Sequence, residues 1–392
     1  MNKVIISLAL GTFGLGMAEF GIMGVLTELA RDVNIPIAAA GHMISFYALG
    51  VVIGAPIMAL CASRFSLKTL LLFLVALCAI GNAIFTFSSS YAMLVIGRLV
   101  SGFPHGAFFG VGAIMLTRVI PPGKVTAAVA GMVSGMTLAN LVGIPLGTLL
   151  SQAFSWRATF LLIALFNLAV IVSIIFYIPA VRDKAPTRLS EQFHFLKSPA
   201  PWLIFLATLF SNAGVFAWFS YIKPVMIYVA GFADSAMPVI MMLAGAGMVL
   251  GNIVSGRLSS RFSPLRIAAL TNLAIAVALT LTLFFAWHQT AALTLAFISC
   301  AGLFALSAPL QILLLQNAPG GEMLGAAGGQ IAFNLGSALG AFCGGAMLTI
   351  NQPYNAVALP AALLSLSAML ALIGYSRLKS RPVFRAQTST TA

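Results

Sequence analysis

Three side chains able to hold a charge or pass a proton stand inside long apolar runs. Glu19 lies in GTFGLGMAEFGIMGVL, and Arg98 and His105 lie in GRLVSGFPHGAFFG. Glu19 is the only acidic residue near the middle of any such run. Ionising a carboxyl in hydrocarbon costs about 2.5–3.5 kcal/mol on insertion scales. A group so reluctant to charge suits proton uptake and release, direct contact with a cationic ligand, or a structural pairing. Arg98, Ser101 and His105 are three and four residues apart, which sets them on one helix face. A buried guanidinium needs a partner or water, so Glu19 is a candidate partner for Arg98. An imidazole titrates near neutral pH in water, which makes His105 a candidate for the same proton chemistry.

Other polar groups are spread along the apolar runs. Asn140, Asn212, Trp218, Tyr221, Gln311, Gln330 and Asn334 are candidates to line a ligand site together with Glu19, Ser101 and His105. Amides suit the hydroxyls of a sugar-like ligand and aromatic rings its apolar faces; the rings equally suit a lipophilic compound. Lys223 is expected near a membrane surface with its ammonium reaching outward to water. His42, His194 and His288 fall near segment ends or in a linker and read as solvated. Cys61, Cys78, Cys300 and Cys343 have no CxxC spacing and read as small buried apolar residues, with no disulfide and no metal site.

Only 7% of residues are charged and 61% are hydrophobic. A soluble domain carries about 25% charged residues, so the solvent for this chain is a lipid bilayer. The net charge of +13 is scattered in small groups between apolar runs, without a basic face, so nucleic acid is not an expected partner. An enzyme would need a reactive constellation; the sequence has no GxSxG, no P-loop and no His/Cys/acid cluster at ligand spacing. No cofactor is expected.

A helix crossing a bilayer needs about 20 mostly apolar residues. Twelve segments qualify, at about 4–26, 38–61, 69–88, 91–117, 125–150, 158–179, 202–229, 236–257, 266–287, 290–316, 323–349 and 354–376. The first run is too long for the apolar region of a signal peptide and reads as span 1. Lys3, Arg64, Lys68, Arg118, Lys124, Arg182, Lys184, Arg188, Lys197, Arg257, Arg261, Arg266, Arg377, Lys379, Arg381 and Arg385 lie before span 1, in even-numbered turns or after span 12. Against these 16, the odd-numbered turns hold Arg31 and Arg157. Basic residues are retained in the cytoplasm, so both termini are expected there.

The tetrapeptide SRFS occurs at Ser63–Ser66 and again at Ser260–Ser263, 197 residues on. Gly131, Gly143 and Gly147 recur at the same offset as Gly328, Gly340 and Gly344. The copies follow spans 2 and 8 and fall in spans 5 and 11. Two like-oriented halves, each of six spans, account for this. The expected organisation is a bundle over 1–179, a linker over 180–200 with a short interfacial helix carrying Leu189, Phe193 and Leu196, a bundle over 201–376, and a tail over 377–392. Gly143, Gly147, Gly340 and Gly344 supply close crossings for halves that rock, and Pro145 bends span 5.

These motifs resemble the major facilitator superfamily, and within it the drug:proton antiporters with 12 spans. The family pattern G-x-x-x-D-R-x-G-R-K after span 2 is similar to ALCASRFSLK, which keeps Arg64 and Lys68 but has Ser63 at the acidic place. The second half has GRLSSRFSPLR, with Gly256 and Arg261 kept and Ser260 at the acidic place. Arg98 matches the span 4 signature, and GIPLG at Gly143–Gly147 is a degenerate form of the span 5 signature. The resemblance implies an all-α polytopic membrane protein of two pseudo-symmetric six-helix bundles. It implies alternating access in a bacterial inner membrane and protons as the coupling ion at Glu19, Arg98 and His105. Arg64, Lys68, Gly256 and Arg261 would gate the loops. A small-molecule solute would be exported, sugar-like or drug-like; a proton-independent uniporter or importer of the same fold stays open. One chain holds a full set of spans, so a monomer suffices. Cysteines placed at Arg64 and Arg261 are expected to react with an impermeant thiol reagent from the same side of the membrane; opposite sides would dissolve the two-half architecture.

Overall fold

The computed structural model describes residues 2–61, 65–121, 124–181, 194–259, 261–319 and 322–380. Among these the chain is helical, with no strand. Twelve helical segments are long and apolar enough to cross a membrane: Asn2–Gly24, Ile37–Ile57, Leu67–Thr86, Tyr91–Val119, Ala127–Ala153, Trp156–Tyr177, Pro199–Phe219, Asp234–Leu258, Pro264–Phe285, Gln289–Gln316, Gly325–Thr349 and Tyr354–Lys379. They are numbered spans 1 to 12 and match the segments read from the sequence. Span 12 belongs to a helix that continues to Ser380, past the expected start of the tail. The basic stretch with Leu189 and Phe193 lies outside the described residues; His194–Lys197 is a single 3-10 turn with Phe195 buried.

Where the spans start is a matter of local capping. Serine side chains accept from backbone N–H groups at the starts of spans 3, 4, 6, 7 and 9: Ser66, Ser90, Ser155, Ser198 and Ser263. A hydroxyl there satisfies one of the four orphan donors of a helix start. Ser66 and Ser263 are the last letters of the two SRFS copies, so the repeated tetrapeptide does the same job in both halves.

Every third span, 1, 4, 7 and 10, is interrupted, and span 5 is too. Span 1 ends its α-helix at Phe20, makes a 3-10 turn over Gly21–Gly24, and yields to a short helix Leu26–Asp32. Span 4 is two helices, Tyr91–Gly102 and His105–Val119, parted at Phe103 and Pro104. Span 7 ends at Phe219 and is followed by Ile222–Pro224 and a π-helical turn Val225–Val229. Span 10 breaks between Ala305 and Ser307. Proline lacks the N–H that the ladder needs, and this accounts for the break at Pro104 and for the one at Ser220 and Tyr221, four and three residues before Pro224. Pro145 acts likewise in span 5: it has no N–H for the Leu141 carbonyl, and the turn just before it, Ala139–Gly143, opens to π-helix.

The repeated glycines pack within the halves rather than between them. Gly143 meets Met17 and Phe13 of span 1, and Gly147 meets Thr159 of span 6. Gly340 meets Ala213 and Ala217 of span 7, and Gly344 meets Ala217 and Tyr221. The seam between halves is made elsewhere. Ser45 Oγ of span 2 donates to Ala338 O of span 11 (2.8 Å). The His42 ring stacks on Phe342, with centroids 5.9 Å apart. Gly245 of span 8 lies against the backbone of Asn140 in span 5. Gln152 Nε2 donates to Asp234 O (2.5 Å). These contacts run from mid-span to the end of the bundle away from the chain termini.

At that closed end sits Lys223. The expectation that it reaches outward is overturned: its side chain is 0% exposed and ion-paired with Glu28 of the first half and Asp234 of its own half, the latter at 3.0 Å. Two carboxylates draw the ammonium into the seam, which removes the reason to snorkel. Nearby, Asp32 accepts from Trp156 Nε1 (3.0 Å) and pairs with Arg157, whose other nitrogen donates to Ser88 O. Burial opposes ionisation of Asp32, but these donors and the Arg157 charge outweigh it and hold the carboxyl below its usual range.

The terminus-bearing end is open. Asn252, Ile253 and Val254 of span 8 are consecutive and all exposed. Three consecutive helical positions sweep about 200°, more than a lipid-facing stripe accounts for. Gly256 and Gly110 likewise have nothing within 4 Å of where a Cβ would be.

A Cβ at Gly340 would stand 2.9 Å from Ala213 Cα and Ala217 N, backbone atoms that cannot step aside. Gly340→Val is expected to destabilise the purified protein by about 1–3 kcal/mol through overpacking. Gly110→Ala is expected to be neutral or stabilising, since it only relieves glycine's helix penalty. Thermal unfolding in detergent checks the contrast.

Candidate functional site

The site grows from the break in span 1. The last carbonyls of an α-helix have no intrahelical donor, and here the helix stops at Phe20 inside the bundle. Arg98 supplies the missing donors, Nη1 to Ala18 O (2.6 Å) and Nη2 to Glu19 O (3.5 Å), while its Nε donates to Met43 O within the span 2 helix (3.0 Å). Its guanidinium lies over the Tyr47 ring, 4.4 Å from the centroid, with Phe85 and Phe160 beyond. The side chain is completely buried. A cation at a helix C-terminus also meets the negative end of the helix dipole.

The sequence suggests Glu19 as Arg98's side-chain partner, and the geometry corrects this. The guanidinium is spent on backbone carbonyls, including that of Glu19 itself. The Glu19 carboxyl turns instead to His105, with Oε2 3.6 Å from Nε2. That gap is too long for a hydrogen bond, and Oε2 is buried with no other partner. The far side of the imidazole is held: His105 Nδ1 and the Tyr47 hydroxyl are 2.8 Å apart. The Tyr47 hydroxyl also donates to Leu15 O (3.4 Å), which leaves it to accept from Nδ1–H. Nε2 then bears a lone pair facing Glu19. The His105 ring stacks on Phe109 (5.4 Å) and meets Tyr47 edge-on. The result is a short row, Tyr47–His105–Glu19, with one open gap between its last two members.

Tyr47 is missing from the sequence-derived candidates. A lone tyrosine in an apolar run reads as core; its signal is only that a buried hydroxyl needs a partner. Ser101, expected on the same face as Arg98, is turned the other way: its hydroxyl bonds Arg98 O and its backbone packs on Gly81 of span 3. The interruption at Phe103 and Pro104 is why a continuous-helix face does not carry through to His105.

The remaining candidates divide into engaged and unengaged groups. Tyr221 donates to Ala341 O (2.9 Å) and lies against Gly41 and Gly345. Gln311 is half-buried beside Gly329, and Gln330 is exposed. Asn212 and Asn334 donate to the carbonyls of Thr208 and Gln330, but each leaves its Oδ1 unpaired. Asn140 is 1% exposed with both amide atoms unpaired, and Trp218 Nε1 has no acceptor. Rings gather about Trp218 and Asn334. Phe20 of the first half inserts among Phe216, Phe219 and Phe304 at 5.9, 6.3 and 6.4 Å, and Phe216 touches Phe333, beside Asn334.

Of the loop residues, Lys68 Nζ donates to Ile175 O (2.6 Å), tying span 3 to span 6, and Gly256 and Arg261 are exposed. Arg64, Ser63 and Ser260 lie outside the described residues. Among the described residues no group of three His, Cys, Asp or Glu side chains could hold a metal.

Comparison with known proteins fits this frame. The Major Facilitator Superfamily matches residues 8–333. The chain is 72% identical over 379 residues to "Putative transporter AraJ" of Escherichia coli strain K12, covering 97% of this chain and 96% of that one. It is 32% identical over 370 residues to the "Inner membrane transport protein YdhP" of the same organism, covering 94% and 95%. In fold it is similar to the crystal structure of a nucleoside transporter, NupG, with a TM-score of 0.78 at 10% identity over 95% of this chain and 99% of that one. An interrupted twelve-span bundle around a buried polar row defines a membrane transporter, not an enzyme. The chain belongs to the Major Facilitator Superfamily.

Lysine at position 98 has one ammonium and cannot reach three carbonyls on two spans. Each buried acceptor left without a donor costs about 1–3 kcal/mol. Arg98→Lys is expected to remove most monodisperse protein in size-exclusion chromatography, while Ser101→Ala, which loses only a bond within its own helix, leaves the yield near wild type.

Proposed function

We propose that the protein exports a small, partly hydrophilic solute across the bacterial inner membrane in exchange for protons, by alternating access. The observation that carries this is the unpartnered Glu19 Oε2 facing His105 Nε2 across 3.6 Å. Protonated, Glu19 donates to the imidazole and the row is satisfied. Deprotonated, it leaves a buried charge that calls for a ligand's donor or cation. Proton and solute then compete for one carboxyl, which is what exchange requires.

The 16 basic residues on the terminus-bearing side support a cytoplasmic placement of both termini. With that orientation the bundle as described is shut towards the outside and open to the cytoplasm. The solute enters as Glu19 gives up its proton inward. The bundle rocks, the solute leaves outward, and a proton from outside takes its place.

Unpaired amide atoms on Asn140, and on Asn212 and Asn334 beside Phe216 and Phe333, favour a sugar or sugar-like solute whose hydroxyls meet amides and whose apolar face meets rings. The five-ring cluster around Phe20 favours a second reading, efflux of lipophilic drugs. A pentose, a hexose and a lipophilic cation such as tetraphenylphosphonium distinguish the two.

Added to purified protein in weak buffer, the ligand that binds is expected to release protons to a pH indicator, about one per site. Glu19→Gln is expected to keep binding within about tenfold and to release none. Undiminished release from that variant would remove Glu19 from the coupling. Counterflow unaffected by pH would favour a uniporter.

A further inference from the structure

The seam holds one more buried charge, and its surroundings are asymmetric. Lys223 is completely buried between two carboxylates. Glu28 belongs to the first half: it lies on Leu26–Asp32, its side chain is 20% exposed, and its second oxygen accepts from Thr27 Oγ1 (3.0 Å). Asp234 belongs to the second half, as Lys223 does. It opens the turn Asp234–Ala236 at the start of span 8, and its side chain is 57% exposed. Its backbone carbonyl, not its carboxylate, takes the cross-seam bond from Gln152. The other charged groups at this end are Arg31, exposed one turn along the Glu28 helix, and the Asp32–Arg157 pair.

Parting the halves at this end must separate Lys223 from Glu28. A lysine with no other partner would be left as an uncompensated charge in a mostly apolar wall, a heavy cost. Asp234 moves with Lys223, so that contact survives the parting. We infer that Asp234 is a positioning residue for transport: it takes over Lys223 from Glu28 when the outer end opens, so that Glu28 biases the seam shut and Asp234 makes opening affordable. This rests on the alternating access proposed above.

The two carboxylates therefore act in opposite directions. A merely structural ion cluster would weaken in the same direction when either is neutralised. Glu28→Gln removes an attraction present only in the closed form and favours opening. Asp234→Asn removes the partner of the open form, leaves the Lys223–Glu28 pair without a competitor, and favours closure.

The test uses the full chain with Cys61, Cys78, Cys300 and Cys343 replaced by alanine and Ser45→Cys added, reconstituted in vesicles. Ser45 is 8% exposed and bonded across the seam, so a membrane-impermeant maleimide reaches position 45 from outside only when that end parts. The labelling rate, followed by mass spectrometry, reports the open population. Ser89→Cys, exposed at the same end, should label equally in every variant and shows that each is folded and oriented. Glu28→Gln is expected to raise the Ser45→Cys rate about fivefold, the upper end for a partly exposed pair whose lysine keeps a second carboxylate. Asp234→Asn is expected to lower it about threefold, the scale of a half-exposed one. Shifts in the same direction, or none, overturn the handover while leaving transport intact. No labelling at position 45 in any form, with Ser89→Cys reactive, overturns the handover and alternating access together.

Discussion

The structure depends on an arginine that finishes a helix. The span 1 α-helix stops at Phe20, one residue past Glu19, and stopping there exposes carbonyls inside the bundle. Arg98 answers that need with three donors from one rigid fork, to Ala18, Glu19 and Met43, while its flat face rests on Tyr47. The same side chain thus joins spans 1, 2 and 4. Glu19, Tyr47 and His105 owe their positions to it, one from each of the spans it binds. A charge that would be a liability in hydrocarbon is here the fastener of the polar row, because backbone oxygens accept its hydrogen bonds.

The two halves are held by different physics at different depths. Near the middle, Phe20 reaches out of the first half into the rings of the second, a contact with no direction that survives small rotations. Towards the shut end the contacts become specific: Ser45 to Ala338, Gln152 to Asp234, Lys223 to Glu28. Apolar packing at the pivot with directional contacts beyond it is an arrangement in which rocking breaks few bonds at the axis and several at the rim. The glycines expected at the rocking surfaces serve instead to pack spans 5 and 11 closely onto the rest of their own halves.

The spans and their pairing into halves could be read from the residues because both are local or periodic signals. Twenty apolar residues in a row admit few other fates, and an offset of 197 repeats regardless of what surrounds it. Glu19 and His105 stood out because a titratable group among leucines is conspicuous. Their true neighbours did not. Arg98's partners are main-chain carbonyls, which have no letter of their own, and the break at Phe20 that frees two of them is hinted at only by Gly21 and Gly24. Tyr47 looked like any core aromatic. Lys223 could not be paired from spacing at all, since Glu28 is 195 positions away in the other half. Where a side chain's role is decided by a contact between halves, composition and period are silent.

The serines that close the two SRFS copies, Ser66 and Ser263, cap the helices that follow them. The internal likeness of the halves is thus preserved at a point of backbone geometry, remote from Glu19 and from the unpaired amides. What the duplicated motif records is how a chain turns back into the lipid. Away from that shared turn the halves differ: the Tyr47–His105–Glu19 row belongs to the first, and the rings that surround Phe20 belong to the second.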